Sequence, residues 1–83
     1  MQFKAKIEVM LKPGHSDPEG ETTARALREL NYPVKGVNVS KAYTVVLEAD
    51  TRVKAKSIVD EMCRRLLANP TKDDYKFEIR ETE

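Results

Sequence analysis

Apolar and polar residues alternate over the first stretch of the chain: Phe3, Ala5, Ile7, Val9 and Leu11 are interleaved with Gln2, Lys4, Lys6, Glu8 and Met10. A period of two predicts a strand with one face on a core and one in water. Lys12-Pro13-Gly14-His15-Ser16 breaks the pattern, and Asp17-Pro18-Glu19-Gly20 then opens a helix. Asp17 is an N-cap type, and Pro18 stands at the first helical position, where a missing N–H costs nothing. The helix is expected to reach about Leu30, with Ala24, Leu27 and Leu30 on one face. Glu21, Arg25 and Glu29, spaced by four, form a solvated charged face.

Asn31-Tyr32-Pro33 ends that helix. Val37 and Val39 begin a second alternating segment, which is expected to turn near Ser40-Lys41-Ala42 into a third strand through Tyr43, Val45, Leu47 and Ala49. From Asp50-Thr51 a second helix is expected to run to about Ala68. Its broad apolar face carries Val53, Ala55, Ile58, Val59, Met62, Cys63, Leu66 and Leu67. Asn69-Pro70 stops it. After Asp73-Asp74, the residues Tyr75, Phe77 and Ile79 alternate with Lys76, Glu78 and Arg80 as a last strand. The predicted order is βαββαβ, an α+β ferredoxin-like antiparallel sheet with two helices on one face.

Composition narrows the function. The 83 residues make one small domain, residues 1–83, with limited core volume, so self-association is expected. Fifteen basic residues nearly balance fourteen acidic ones, which leaves no broad field to attract a phosphate backbone or an anionic membrane. Nucleic acid and membrane are therefore not expected as partners. A single cysteine excludes an internal disulfide, and no signal-like start precedes the first strand, which points to the cytoplasm.

Candidate chemistry is sparse. Cys63 falls on the apolar stripe of the second helix, where a thiol acts as a small hydrophobe. His15 is the only histidine and sits in a Pro-Gly loop, so no zinc or iron–sulfur ligand set can be assembled. Asp73 and Asp74 are adjacent, and neighbours on a strand start point apart. Tyr43, Tyr75 and Phe77 fall on the core face, not on an open face where bases could stack. From these residues alone, an interaction module and a ligand-sensing domain both remain open.

An ordered set of motifs goes further: Val9-Met10-Leu11-Lys12, Asp17-Pro18-Glu19-Gly20, Ala26-Leu27-Arg28-Glu29-Leu30 and Leu66-Leu67-Ala68-Asn69-Pro70, with Lys41 between the middle strands and Asp74-Tyr75 after the second helix. Together these resemble PurS, the small-subunit family of phosphoribosylformylglycinamidine synthase, over essentially the whole length. His15-Ser16, Asn31 and Thr71-Lys72 depart from the family's usual residues. The resemblance implies a non-catalytic subunit of purine biosynthesis that bridges a glutaminase and an ATP-dependent synthetase, so that ammonia passes between them. It implies a homo-oligomer, dimer or tetramer, with no catalytic, cofactor-binding or metal residues of its own. ATP and magnesium would belong to the synthetase. Asp17, Pro18, Gly20, Lys41, Asn69, Pro70 and Asp74, at element ends, are the partner-contact candidates. The alternative is a stand-alone ferredoxin-like domain that senses a small metabolite.

Overall fold

A computed structural model describes residues 1–82. It contains β1 (Gln2–Leu11), α1 (Pro18–Glu29), β2 (Lys41–Glu48), α2 (Arg52–Met62) and β3 (Asp73–Thr82). The sheet is antiparallel in the order β2-β1-β3, so β1 is central and the other two strands are edges. Its register places Val45 and Ile79 on either side of Ala5, and Tyr43 and Phe77 on either side of Ile7. The alternating residues of β1 face inward as expected: Phe3, Ala5, Ile7 and Val9 are all buried.

α2 covers this face. Ala55, Val59 and Cys63 recur every four residues and are each fully buried, and Val59 and Cys63 pack with Ala5, Ile7 and Val9 in one aliphatic cluster. Tyr43, Val45, Leu47, Tyr75, Phe77 and Ile79 close the cluster from the edge strands. Thr51 caps the helix by accepting from Lys54 N at 3.1 Å. At the other end the helix widens into a π turn, Cys63–Leu67, closed by Ala68 N donating to Cys63 O at 2.9 Å. The extra residue in that turn shifts the inward register, so Leu67 and Ala68 meet the core and Leu66 is 83% exposed. Val53, two positions before Ala55, points the opposite way and is 78% exposed. Both residues therefore lie outside the apolar face to which the periodicity assigned them.

The α+β ferredoxin-like class stands, with one strand fewer in the sheet. The segment around Val37 and Val39 is not in the sheet, and no hairpin forms at Ser40-Lys41-Ala42. It lies along α1 instead. Arg28 donates from Nε to Val34 O at 2.9 Å and from Nη2 to Lys35 O at 3.0 Å, and Asp17 accepts from Val39 N at 2.9 Å. A Cβ at Gly20 would overlap Val37 O, so only glycine allows this backbone approach. α1 thus spends its inward face on the segment, and only Gly20 and Ala24 of the helix are buried. Its end is a Schellman motif in which Tyr32 N donates to Leu27 O at 3.1 Å and Asn31 N to Arg28 O at 2.9 Å. Asn31 holds the left-handed position, φ 72°, in place of glycine. The result is a flat, elongated molecule, 51 × 29 × 14 Å.

Candidate functional site

The topology gathers the candidate residues at one end of the sheet, where β1 finishes and β2 and β3 begin: Val9 is opposite Lys41, and Leu11 is opposite Asp73. The start of α1 and the end of the π turn reach the same end. A cleft of about 230 Å³ there is lined by Asp17, Lys41, Leu67, Lys72 and Asp73, among others.

Asp17 does double duty in this region. Its Oδ1 accepts from Gly20 N at 2.9 Å, the N-cap bond, and its Oδ2 accepts from Val39 N at 2.9 Å. The bond from Val39, then that from Gly20, favours the carboxylate and lowers its pKa from the ordinary 3.8. Pro18 is exposed beside it at the first helical position. Gly20 is buried, so its part is to bring backbone close to backbone and it offers no surface of its own. Lys41 is exposed at the start of β2.

The turn between the π turn and β3 is built by Asn69. Its Oδ1 accepts from Thr71 N at 2.8 Å, its carbonyl accepts from Asp73 N at 2.8 Å, and its own N–H donates to Asp73 Oδ2 at 2.9 Å. Pro70 stands exposed at the tip of this turn. Asp74 points away from Asp73 and pairs with Lys12 Nζ at 2.7 Å, while Lys12 N donates to Lys72 O at 2.7 Å. The two adjacent carboxylates therefore have separate partners. Lys12-Pro13-Gly14-His15 is a tight turn, with His15 N donating to Lys12 O at 3.3 Å and Gly14 at φ 89°. Asp17 and Lys41 share the cleft, and Asn69, Pro70 and Asp74 line the neighbouring turn.

Sequence spacing did not reveal the bonds of Lys12 to Asp74 and Lys72, which tie the loops of this end together, nor those of Arg28, which hold the Val34–Lys35 stretch to the far end of α1. Their partners are backbone carbonyls or residues far away in sequence, for which periodicity carries no signal. A second polar linkage fastens α2 to β3. Tyr75 OH donates to Asp60 Oδ1 at 2.6 Å, and Arg64 Nε donates to Asp60 Oδ2 at 2.8 Å. Tyr75 and Arg64 hold the Asp60 carboxyl below its ordinary range, and the Asp60 carboxylate in turn raises the Tyr75 phenol. Cys63 lies in the core, where burial pushes its thiol pKa up and disfavours the thiolate. Among the described residues, no group of three or more His, Cys, Asp or Glu stands close enough to hold a metal ion. No helix among them is long and apolar enough to cross a membrane.

Comparison with known proteins agrees with this architecture. Residues 4–81 match the family model PurS, phosphoribosylformylglycinamidine (FGAM) synthase. The Methanocaldococcus jannaschii phosphoribosylformylglycinamidine synthase subunit PurS is 39% identical over 82 residues, covering 98% of this chain and 99% of that protein. Among solved structures, Thermus thermophilus PurS superposes with a TM-score of 0.89 at 31% identity, covering all of both chains. A chain of the Thermotoga maritima PurLQS structure does so with a TM-score of 0.88 at 36% identity, covering 96% of this chain and 99% of that one. With a family model that spans nearly all of its residues and relatives of matching length and fold, the chain belongs to the PurS family of phosphoribosylformylglycinamidine synthase subunits.

Proposed function

We propose that this chain acts, as a single domain of residues 1–83, as the connecting subunit of phosphoribosylformylglycinamidine synthase in purine biosynthesis in the cytoplasm. It bridges a glutaminase subunit and an ATP-dependent synthetase subunit so that ammonia released by the first reaches the second. ATP and magnesium are held by the synthetase. The chain itself is a homo-oligomer, a dimer or tetramer, that supplies docking surface to a ligase and no reacting group. The observation that carries this reading is the likeness to a chain of the Thermotoga maritima PurLQS structure over nearly the full length of both.

The geometry supports it in a specific way. Asp17, Lys41 and the Asn69–Asp74 turn come from three separate stretches of sequence and meet at one end of the sheet, held by caps, tight turns and the Lys12–Asp74 pair. Pro18, Lys41 and Pro70 are exposed there for contact. A solvent-facing end of this kind, with its turns fixed by hydrogen bonds, suits a surface that positions two larger proteins. No specific observation favours the metabolite-sensing alternative.

The test is turnover of a reconstituted synthase. With this chain present, both glutamine and ammonia support activity. With it left out, glutamine-dependent turnover falls at least tenfold while turnover at high ammonia is retained, because free ammonia bypasses docking. Equal glutamine-dependent turnover with and without the chain would overturn the bridging role.

A further inference from the structure

β3 is an edge strand, and its outer side carries open backbone groups. Lys12 N donates to Lys72 O, which sets the even-numbered residues of this stretch toward β1 and turns the odd-numbered ones outward. Asn69 O takes the outward N–H of Asp73, and Arg52 Nη1 reaches over from the start of α2 to donate to Ile79 O at 2.7 Å. Between these two fixed points the outward N–H groups of Tyr75, Phe77 and Ile79 and the carbonyls of Tyr75 and Phe77 have no hydrogen-bond partner among the described residues. No proline blunts the strand. From Tyr75 to Glu81 the edge is roughly 20 Å long, at about 3.3 Å per residue.

α2 runs antiparallel to this edge. Arg52 is bonded to Ile79 and Asp60 to Tyr75, so eight residues of helix, about 12 Å, match four residues of strand, about 13 Å. Lys56 is four residues from each on the same flank and therefore stands level with Phe77. Arg52, Lys56, Lys76 and Arg80 border the edge, against Glu78 and Glu81. Of these cations only Lys76 is ion-paired among the described residues, with Glu8 at 3.5 Å. The half-buried rings of Tyr75 and Phe77 stack with centroids 6.5 Å apart and give the edge an apolar wall. We propose that an extended, acidic segment of an enzyme subunit of the synthase adds to the outer side of β3 as a further strand. Its backbone pairs with Tyr75, Phe77 and Ile79, and its carboxylates meet Arg52 and Lys56. Arg52 spends one of its five N–H donors on Ile79 O and keeps the others for a carboxylate. The edge extends away from the end where Asp17, Lys41 and Asn69 meet, which gives a bridging subunit a second surface.

The inference rests on the bridging role and names a surface for it. Purified glutaminase and synthetase subunits are each added to the full chain, and amide exchange of β3 is followed at constant chain concentration. Binding of one of them is expected to slow exchange at Tyr75, Phe77 and Ile79 at least tenfold. Lys56→Gln is expected to weaken that binding at least fivefold. Lys54→Gln removes the same charge from an exposed position on another side of α2 and is expected to weaken it less than twofold. Both variants should keep wild-type helix and strand content. Binding with unchanged exchange at the three amides would overturn the strand addition and leave the bridge standing, as would equal losses in the two variants or a Lys56→Gln chain that binds like wild type. Slow exchange at the three amides in the chain alone would give the edge to a second copy and overturn it as well. A wild-type chain that binds neither subunit would overturn both the strand addition and the bridge.

Discussion

The two halves of the molecule are held together by different physics. The body, made of the sheet and α2, buries Phe3, Ala5, Ile7, Val59 and Cys63 to 2% exposure or less. The arm, made of α1 and the extended segment that follows it, buries only Gly20 and Ala24 of its helix and leaves Leu30 67% and Tyr32 57% exposed. Burial of apolar area sustains the body. The arm depends on an N-cap, a Schellman turn, the Arg28 bonds to Val34 and Lys35, and one close backbone approach. Caps and hydrogen bonds each contribute about 1 kcal/mol, whereas a buried aliphatic side chain contributes several times that. Apolar burial therefore carries most of the stability of the body, and the arm depends on a few caps, hydrogen bonds and one close contact.

The largest effect is expected from cutting the body. Ile7→Ala removes a side chain at the centre of the cluster and should destabilise the fold by about 2–5 kcal/mol, read as a shift of the urea midpoint at unchanged slope. A loss under about 1 kcal/mol would mean that this cluster is not the main source of stability.

Gly20→Ala breaks the arm at its tightest point. The added methyl meets Val37 O and lies 2.7 Å from Asp17 Oδ2, so the segment must move off α1. The expected cost is about 1–3 kcal/mol, with NMR shifts concentrated between Pro18 and Ser40 and the β1 and α2 resonances in place. Chemical-shift changes spread evenly over the sheet would erase the division between body and arm.

A smaller effect follows from Asp17. Its folded-state pKa lies below the ordinary 3.8, so its contribution is fully present above that value and is lost as pH falls through the folded value. Asp17→Asn keeps one oxygen acceptor, and loses both the charge and one of the two bonds from Gly20 N and Val39 N, where its NH2 would face a donor. The variant should melt several degrees below wild type at pH 7, and the gap should narrow as pH drops below about 4. Glu8 and Asp60 are also lowered and titrate in both proteins, so the difference isolates Asp17. A gap that is constant with pH would show that the charge plays no part in holding the arm.

The sequence read the body well and the arm only in part, for a physical reason. Alternation in β1 and β3 and the recurrence of Ala55, Val59 and Cys63 are local signatures of burial, and the caps at Asp17 and Thr51 are local chemistry. The extended state of Val37 and Val39 was also legible, but the partner of an extended segment is not a local property. Hairpin pairing was the natural expectation, and the arm along α1 became visible only through Arg28 and Gly20. The π turn that exposes Leu66 likewise leaves no mark on apolar periodicity. That Asp17, Lys41, Asn69 and Asp74 lie at element ends was legible locally, while the bonds of Lys12 to Asp74 and Lys72 that join those ends had to be seen in three dimensions.

Amide hydrogen exchange on the dilute, unassociated chain tests the contrast between body and arm most directly. The β1 amides from Phe3 to Val9 and those of α2 around Val59 are expected to exchange at least a hundredfold more slowly than those of Gly36 and Asn38, which have no backbone hydrogen-bond partner among the described residues. Uniform protection across the two regions would contradict that contrast.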